Sequence, residues 1–165
     1  MQIRYLGGEK FEVKTKDSNI TLGYQVSINN FSLPGPGEYE KNGIFVEGIA
    51  DDGNTIFVLK AEEMNLCYLG KISHDLPQDE AKEIGDVDIL FLPLGEDDSL
   101  ETKKALNLVS KIDPRIVIPM LYSDSGLVEF KKSEGITDGE VDVLKIRKTD
   151  LPEDERRNVI LKISN

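Results

Sequence analysis

The sequence has few of the residues that build disulfides and zinc sites. Its 165 residues include one cysteine, one histidine and no tryptophan. A single cysteine forms no intramolecular disulfide and no cysteine-based zinc site, so we expect a reducing, cytoplasmic location. A single histidine, His74, cannot supply the two or three imidazoles that most catalytic zinc sites use. We therefore expect neither a catalytic zinc centre nor another cofactor.

Long apolar runs and clusters of basic residues are also missing. No stretch approaches the ~20 apolar residues of a membrane span, and the opening segment before Gly7-Gly8 is too short for a signal peptide. Acidic residues number 31 against 20 basic ones, which gives a formal charge of −11 at pH 7. Nucleic acids and anionic membranes bind clustered Lys and Arg, so we expect neither as a partner.

Apolar residues are spread along the whole chain, which indicates one folded domain over residues 1–165. The first half predicts mainly strands, and Asp51-Asp52-Gly53-Asn54 predicts a hairpin turn. The second half predicts a βαβ unit, with buried strands at 88–93 and 115–120 around a helix at 99–112. Further elements are predicted as follows: strands at 2–6, 10–15, 20–26, 44–49, 55–60, 65–69, 141–147 and 158–163, helices at 78–84 and after Ser123-Asp124, and a helical turn at 151–155. The chain is thus expected to be of the α/β (α+β) class.

Local sequences that could carry chemistry mostly have structural interpretations. Cys67 lies among apolar neighbours and is expected in the core. The acidic string Gly95-Glu96-Asp97-Asp98 suits the start of a helix better than a cation site, because a helix N-terminus favours negative charge. His74 is flanked by Ser73 and Asp75, but adjacent residues seldom converge as a catalytic triad does, so a loop or capping role is expected.

Four segments in a fixed order carry a family resemblance: Pro34-Gly35-Pro36-Gly37-Glu38-Tyr39-Glu40, Cys67-Tyr68-Leu69-Gly70, Asp88-Ile89-Leu90-Phe91-Leu92-Pro93-Leu94-Gly95, and Pro114-Arg115-Ile116-Val117-Ile118-Pro119-Met120-Leu121-Tyr122. Together they resemble the metallo-β-lactamase superfamily, in particular its small, stand-alone, Zn-dependent hydrolase-like branch. The resemblance implies an αββα sandwich of two mixed β-sheets flanked by helices, here truncated, with the metal site at one edge.

The same resemblance implies a degenerate metal site. The His-x-His-x-Asp-His loop of the family is absent, since the chain passes from Val26 through Phe31 directly to the Pro-Gly turn. Lys71 stands where the family has the aspartate of Leu-Gly-Asp, Leu121 stands where it has the histidine of Pro-x-His-Tyr, and His74 matches no ligand. The degenerate positions are Gly70, Lys71, Leu121 and Tyr122.

The sequence leaves three functions open. We expect first a catalytically inactive protein that binds a small ligand or a protein partner, in which a homodimer could cover a surface left by the missing loop. The alternative is a hydrolase of phosphoesters or related esters with an atypical metal site or none, for which Glu38, His74, Asp75, Glu96 and Asp97 are the candidate cleft residues. A third possibility is a subunit of a larger assembly. Lys71 is expected to be a solvated surface lysine, and the alternative is that its ammonium offsets a carboxylate such as Glu38 or Glu96.

Overall fold

Strands with alternating apolar residues build the first of two sheets in this computed structural model, which describes residues 1–95 and 99–164. Ile3 and Tyr5 on one strand, and Phe11 and Val13 on the next, point to the same side and are buried there. All neighbouring strands pair antiparallel. In spatial order, the strands are β12 (Leu144–Lys145), β1 (Gln2–Gly7), β2 (Lys10–Lys14), β3 (Asn19–Leu22), β4 (Ser27–Ile28) and β5 (Phe31–Ser32).

The second sheet is mixed. In the spatial order given next, the first three pairs of neighbouring strands are parallel and the last three are antiparallel. In spatial order, its strands are β13 (Arg157–Asn158), β11 (Ile116–Met120), β10 (Ile89–Pro93), β9 (Met64–Tyr68), β8 (Asn54–Ala61), β7 (Ile44–Asp51) and β6 (Gly37–Lys41). The predicted strands at 88–93 and 115–120 are confirmed as β10 and β11, which are buried throughout because the other sheet covers one face and the helices cover the other.

Two-residue turns join the antiparallel strands β6 to β9. The central residues of all three turns have positive φ, a conformation whose twist suits a tight hairpin. The predicted hairpin is confirmed, since Asp51 pairs with Asn54 across the turn Asp52-Gly53. The turn Glu62-Glu63 holds two glutamates in the same left-handed conformation, at φ 49° and 63°.

In the described part of the chain, three α-helices cover the outer face of the mixed sheet: α1 (Gln78–Glu83), α2 (Thr102–Ile112) and α3 (Asp124–Ser133). Their buried residues form one apolar cluster with Cys67, Leu90 and Val117 of the sheet. The strand–helix–strand unit of β10, α2 and β11 is therefore confirmed. α2 begins at Thr102 rather than at the predicted 99, since Glu101 at its N-cap is extended at φ −53° and ψ 144°, and the Ser99 hydroxyl accepts a hydrogen bond from the Gly95 N–H.

A second apolar cluster fills the space between the two sheets, and many of its residues are fully buried. The outer face of the antiparallel sheet instead carries ion pairs, in which Glu12 contacts both Arg4 and Lys14. The predicted fold class is confirmed: the chain forms a truncated sandwich of two packed β-sheets, with the helices on the outer face of the mixed sheet. Among the described residues, no helix is long and apolar enough to cross a membrane.

The C-terminal predictions were partly wrong. The strand predicted at 141–147 is reduced to β12, and the strand predicted at 158–163 is reduced to β13 with isolated bridges at Leu161 and Ile163. The helical turn predicted at 151–155 is absent, and a 3-10 turn lies earlier, at Lys148–Asp150. The cause is Pro152, which forces the preceding Leu151 into an extended conformation at φ −67° and ψ 137°.

Candidate functional site

One end of the sandwich carries a cleft of about 590 Å³. Strand residues of the mixed sheet line it, together with turns and loops that connect strands of both sheets. Tyr24 stands at its rim with 95% of the side chain exposed. Other lining residues are Glu9, Gln25, Val26, Leu33, Asp52, Asn54, Thr55, Phe57, Tyr68, Gly70 and Lys71. This cleft therefore contains two of the four degenerate positions named from the sequence, Gly70 and Lys71.

Gly70 is held tightly against the β7–β8 hairpin. The Asn54 side-chain amide donates to the Leu69 carbonyl at 2.8 Å, and a Cβ at Gly70 would collide with the Asn54 carboxamide. Gly70 also has φ +61°, where glycine is strongly favoured. The backbone at this position is thus fixed by packing, and it presents the exposed side chain of Lys71 at the cleft.

Leu121 and its neighbour Met120 occupy the core instead of the cleft surface. Leu121 is 2% exposed and Met120 is fully buried, and both belong to the cluster between the sheets. Leu121 has φ +49°, and its N–H donates to the Gly8 carbonyl at 3.1 Å. A leucine rarely adopts this left-handed conformation, so the surrounding structure imposes it. The side chain at this position contributes apolar packing and no metal-binding atom.

A chain of five aromatic rings crosses the core beside Leu121. Tyr122 lies 6.1 Å from Tyr5, Tyr5 lies 4.8 Å from Phe11, Phe11 lies 4.7 Å from Phe91, and Phe91 lies 6.3 Å from Tyr68, measured between ring centroids. Such contacts add to the stabilisation that burial itself provides. We call these five residues the aromatic chain.

Two tyrosine hydroxyls in the aromatic chain fix the β1–β2 turn over this end of the core. The Tyr5 hydroxyl donates to the Gly8 carbonyl at 2.8 Å, and the Tyr68 hydroxyl donates to the Glu9 carbonyl at 3.1 Å. Burial, with a smaller contribution from Glu9, raises the pKa of Tyr68, so its hydroxyl stays protonated and remains a donor. Both polar groups are thus committed to the backbone of the turn.

His74 lies in a second depression, of about 430 Å³, which shares Asp52 with the cleft. Its Nε2 is 3.0 Å from Oδ1 of Asp51, whose side chain is buried. Asp51 is fixed in turn by the side-chain amide of Asn54 at 3.4 Å. His74 therefore contacts the end of β7 rather than the cleft.

The candidate carboxylates of the hydrolase hypothesis are not gathered in the cleft. Asp75 accepts hydrogen bonds from Lys111 at 2.8 Å and Asn107 at 2.9 Å, which fastens its loop to α2. Glu38 is exposed on β6. Glu96 and Asp97, as well as Asp98, lie outside the described residues. The two described carboxylates thus have different surroundings, neither of which is the cleft.

The donor set does not fit the metal that the superfamily implies. Lys71 and Leu121 provide no ligand atoms, and the chain has only one histidine, which pairs with Asp51. Within residues 1–95 and 99–164, no group of three or more His, Cys, Asp or Glu side chains is placed to hold a metal ion. A catalytic zinc site needs three protein ligands and an open position, and the described residues at this end of the fold do not supply them.

A family model described as Beta-lactamase superfamily domain matches residues 13–121 of the chain. The chain belongs to the metallo-β-lactamase superfamily. The described residues contain no group placed to hold a metal ion, which is consistent with a degenerate site. Among curated proteins, no sequence matches the chain.

Solved structures share the fold. A protein of Thermotoga maritima assigned to the Zn-dependent hydrolases of the metallo-β-lactamase superfamily has a TM-score of 0.80 and 23% identity, over 98% of each chain. A metallo hydrolase of Ignicoccus hospitalis has a TM-score of 0.64 and 12% identity, over 88% of this chain and 99% of the other. A protein of Parabacteroides distasonis assigned as a metal-dependent hydrolase has a TM-score of 0.51 and 13% identity, over 95% of this chain and all of the other. At these identities the likenesses establish the fold alone.

Sequence reasoning missed the aromatic chain and the rim residue Tyr24. Period-two alternation places Tyr5 and Phe11 on the inner face of their strands, so their burial could have been predicted. The contact of Phe11 with Phe91 joins the two sheets through residues distant in sequence, and no local signal indicates it. Tyr24 falls inside the strand predicted at 20–26, but that strand ends at Leu22, and Tyr24 lies in the short connection between β3 and β4.

Proposed function

We propose that this chain is a catalytically inactive member of the metallo-β-lactamase superfamily that acts by binding a ligand or a protein partner, with the cleft as its ligand site. The observation that carries the proposal is the replacement of ligand positions by Lys71 at the cleft and by Leu121 in the core. Leu121 belongs to a packed core in which the hydroxyls of Tyr5 and Tyr68 already donate hydrogen bonds to backbone carbonyls. The cleft, which Leu121 does not line, is large enough for a small molecule.

The chemistry of the cleft favours a polar ligand of mixed charge. Lys71 provides a positive group, whereas Glu9 and Asp52 provide negative ones. The exposed ring of Tyr24 offers a flat apolar surface beside these groups, and Gln25 offers both donors and acceptors. A zwitterion or a neutral polyhydroxylated molecule suits this combination better than a polyanion.

Thermal stability in the presence of ligands tests the proposal directly, because a ligand that binds only the folded state raises Tm. A panel of free amino acids, nucleosides and monosaccharides is the probe. We expect at least one class to raise the Tm of the wild-type protein and of Phe45→Ala, and to have little effect on Tyr24→Ala. Phe45 is the matched control, because its ring is 54% exposed but lies outside the cleft.

The hydrolase alternative gains no support from a specific contact, since the described candidate carboxylates lie apart. Bis(p-nitrophenyl) phosphate with added Zn²⁺, Mn²⁺ or Mg²⁺ is the appropriate assay, and we expect no turnover above the metal-only rate. Turnover above that rate that copurifies with the chain and changes in Lys71→Asp would contradict the proposed inactivity. Self-association remains part of the proposal, and sedimentation velocity over a concentration series measures it.

A further inference from the structure

β6 is the edge strand of the mixed sheet, and its outer side is open. Within the described part of the chain, β6 pairs only with β7. The edge of the other sheet, β5, lies on the same flank, since the Lys41 ammonium is 5.5 Å from the centre of the Phe31 ring. Phe31 is 43% exposed and Phe45, on β7, is 54% exposed. An open edge with exposed aromatic rings nearby can accept another strand.

The hairpin register determines which backbone groups of β6 face the open side. The two-residue turn Asn42-Gly43, with φ 53° and 74°, is closed by the pair Lys41–Ile44. The residues flanking such a turn exchange both hydrogen bonds, and bonded pairs then alternate along an antiparallel ladder. Tyr39 therefore directs its N–H and C=O toward β7. Glu38 and Glu40, at the alternate positions, direct theirs toward the open side.

The same two residues place their carboxylates in an acidic row on the outer face of the sheet. Glu38 and Glu40 are exposed, and Glu47 lies opposite Glu38 on β7. Phe45, opposite Glu40, lines a groove of about 300 Å³ on this face. Lys60, opposite Phe45 on β8, is the positive group in the same groove. Three carboxylates against one ammonium leave this face acidic beside exposed apolar surface.

We propose that β6 is the docking strand for an extended, basic segment of a partner protein, which adds to the mixed sheet as its next strand. The backbone groups of Glu38 and Glu40 bond to the segment, and its alternate Lys or Arg side chains lie beside the two carboxylates. Opposite charges in facing positions stabilise a strand pair. The segment therefore alternates basic and apolar residues. This inference concerns a surface other than the cleft and stands whether or not the cleft binds a ligand.

Charge excludes a second copy of this chain as the occupant. A two-fold antiparallel pair of β6 strands places either Glu38 opposite Glu40 of the copy, or one of these residues opposite its own counterpart. Each register sets glutamates face to face on the same side of the sheet, and like charges in facing positions destabilise the pair. The acidic row thus opposes self-pairing and selects a basic strand.

Fluorescence anisotropy of a labelled peptide, Ac-Lys-Val-Lys-Val-Lys-NH₂, with the full chain tests this assignment. We expect saturable binding that weakens as salt rises. Glu38→Lys/Glu40→Lys should weaken it by about tenfold or more, because two attractive pairs become repulsive. The control Glu153→Lys/Glu155→Lys makes the same change in net charge at exposed residues outside this strand, and should bind within about twofold of wild type.

A second comparison separates strand addition from simple charge attraction. The same peptide N-methylated at alternate residues keeps its charge but loses the N–H groups that face β6, and we expect it to bind about tenfold more weakly. Amide exchange at Glu38 and Glu40 should slow when the unmodified peptide binds. The proposal would be overturned if the wild-type protein bound neither peptide or bound both equally. It would also be overturned if Glu38→Lys/Glu40→Lys bound the peptide as tightly as wild type, or if wild type formed a dimer that this charge reversal dissociates.

Discussion

Leu121→Ala tests whether the position that the family resemblance assigns to a ligand histidine is part of the core. Leu121 is 2% exposed and belongs to the apolar cluster between the sheets. Truncation of such a leucine removes buried methyl groups and leaves a cavity, which costs about 3 kcal/mol within a range of about 2–5. The positive φ of 49° does not alter this difference, because leucine and alanine both carry a Cβ. For a chain of 165 residues, Tm should fall by about 6–12 °C.

Urea unfolding monitored by circular dichroism measures this loss directly. We expect a lower midpoint with an unchanged m-value, because the substitution alters packing and not the surface exposed on unfolding. Val128→Ala is the control, since Val128 lies on α3 with 65% of its side chain exposed and should change stability by no more than about 0.5 kcal/mol. A loss below about 1 kcal/mol for Leu121→Ala, or equal losses for both variants, would refute this account of the site.

Three further predictions concern single residues. Gly70→Ala should destabilise the fold more than Gly53→Ala in the same urea assay, since both glycines have positive φ but only at Gly70 does a new Cβ collide with a side chain. Cys67 should not react with Ellman's reagent in the native state and should release one equivalent after unfolding, because burial raises the pKa of its thiol; fast native-state reaction would show that the strand opens. The Arg147 side chain, helped by its backbone N–H, lowers the pKa of Asp150, so this pair stabilises the fold above the unfolded pKa and the effect is lost as pH falls through the lower folded value. Wild type and Asp150→Asn should therefore differ at pH 7, begin to converge below the ordinary Asp pKa of about 3.9 and coincide below the lower folded pKa. A carboxyl pKa in the folded protein at or above the ordinary value would contradict this.

Much of the fold could be predicted because its strongest signals are local. β10 and β11 are continuous apolar runs on either side of an amphipathic α2, a pattern typical of buried parallel strands joined by a helix. The Asp52-Gly53 turn was predictable because glycine at its second position tolerates positive φ. β6 was missed for the opposite reason: Gly-Glu-Tyr-Glu-Lys contains one apolar side chain, and an edge strand depends on pairing more than on its own composition.

The candidate site was predictable mainly as an absence. The single histidine and the residues at positions 71 and 121 are enough to indicate a degenerate metal site from the sequence alone. The sequence could not indicate that Leu121 adopts a left-handed conformation, since no propensity favours it there. It also could not indicate that His74 meets Asp51, because this contact depends on how the loop after β9 packs against the β7–β8 hairpin.

The metal content of the untagged protein, purified without chelator and without added metal, tests the central claim most directly. Mass spectrometry with an inductively coupled plasma source measures zinc, iron and manganese per chain. We predict far less than one equivalent of any of them in a fully folded sample. One or two equivalents bound to the folded chain would contradict the claim that this member of the superfamily has lost its metal site.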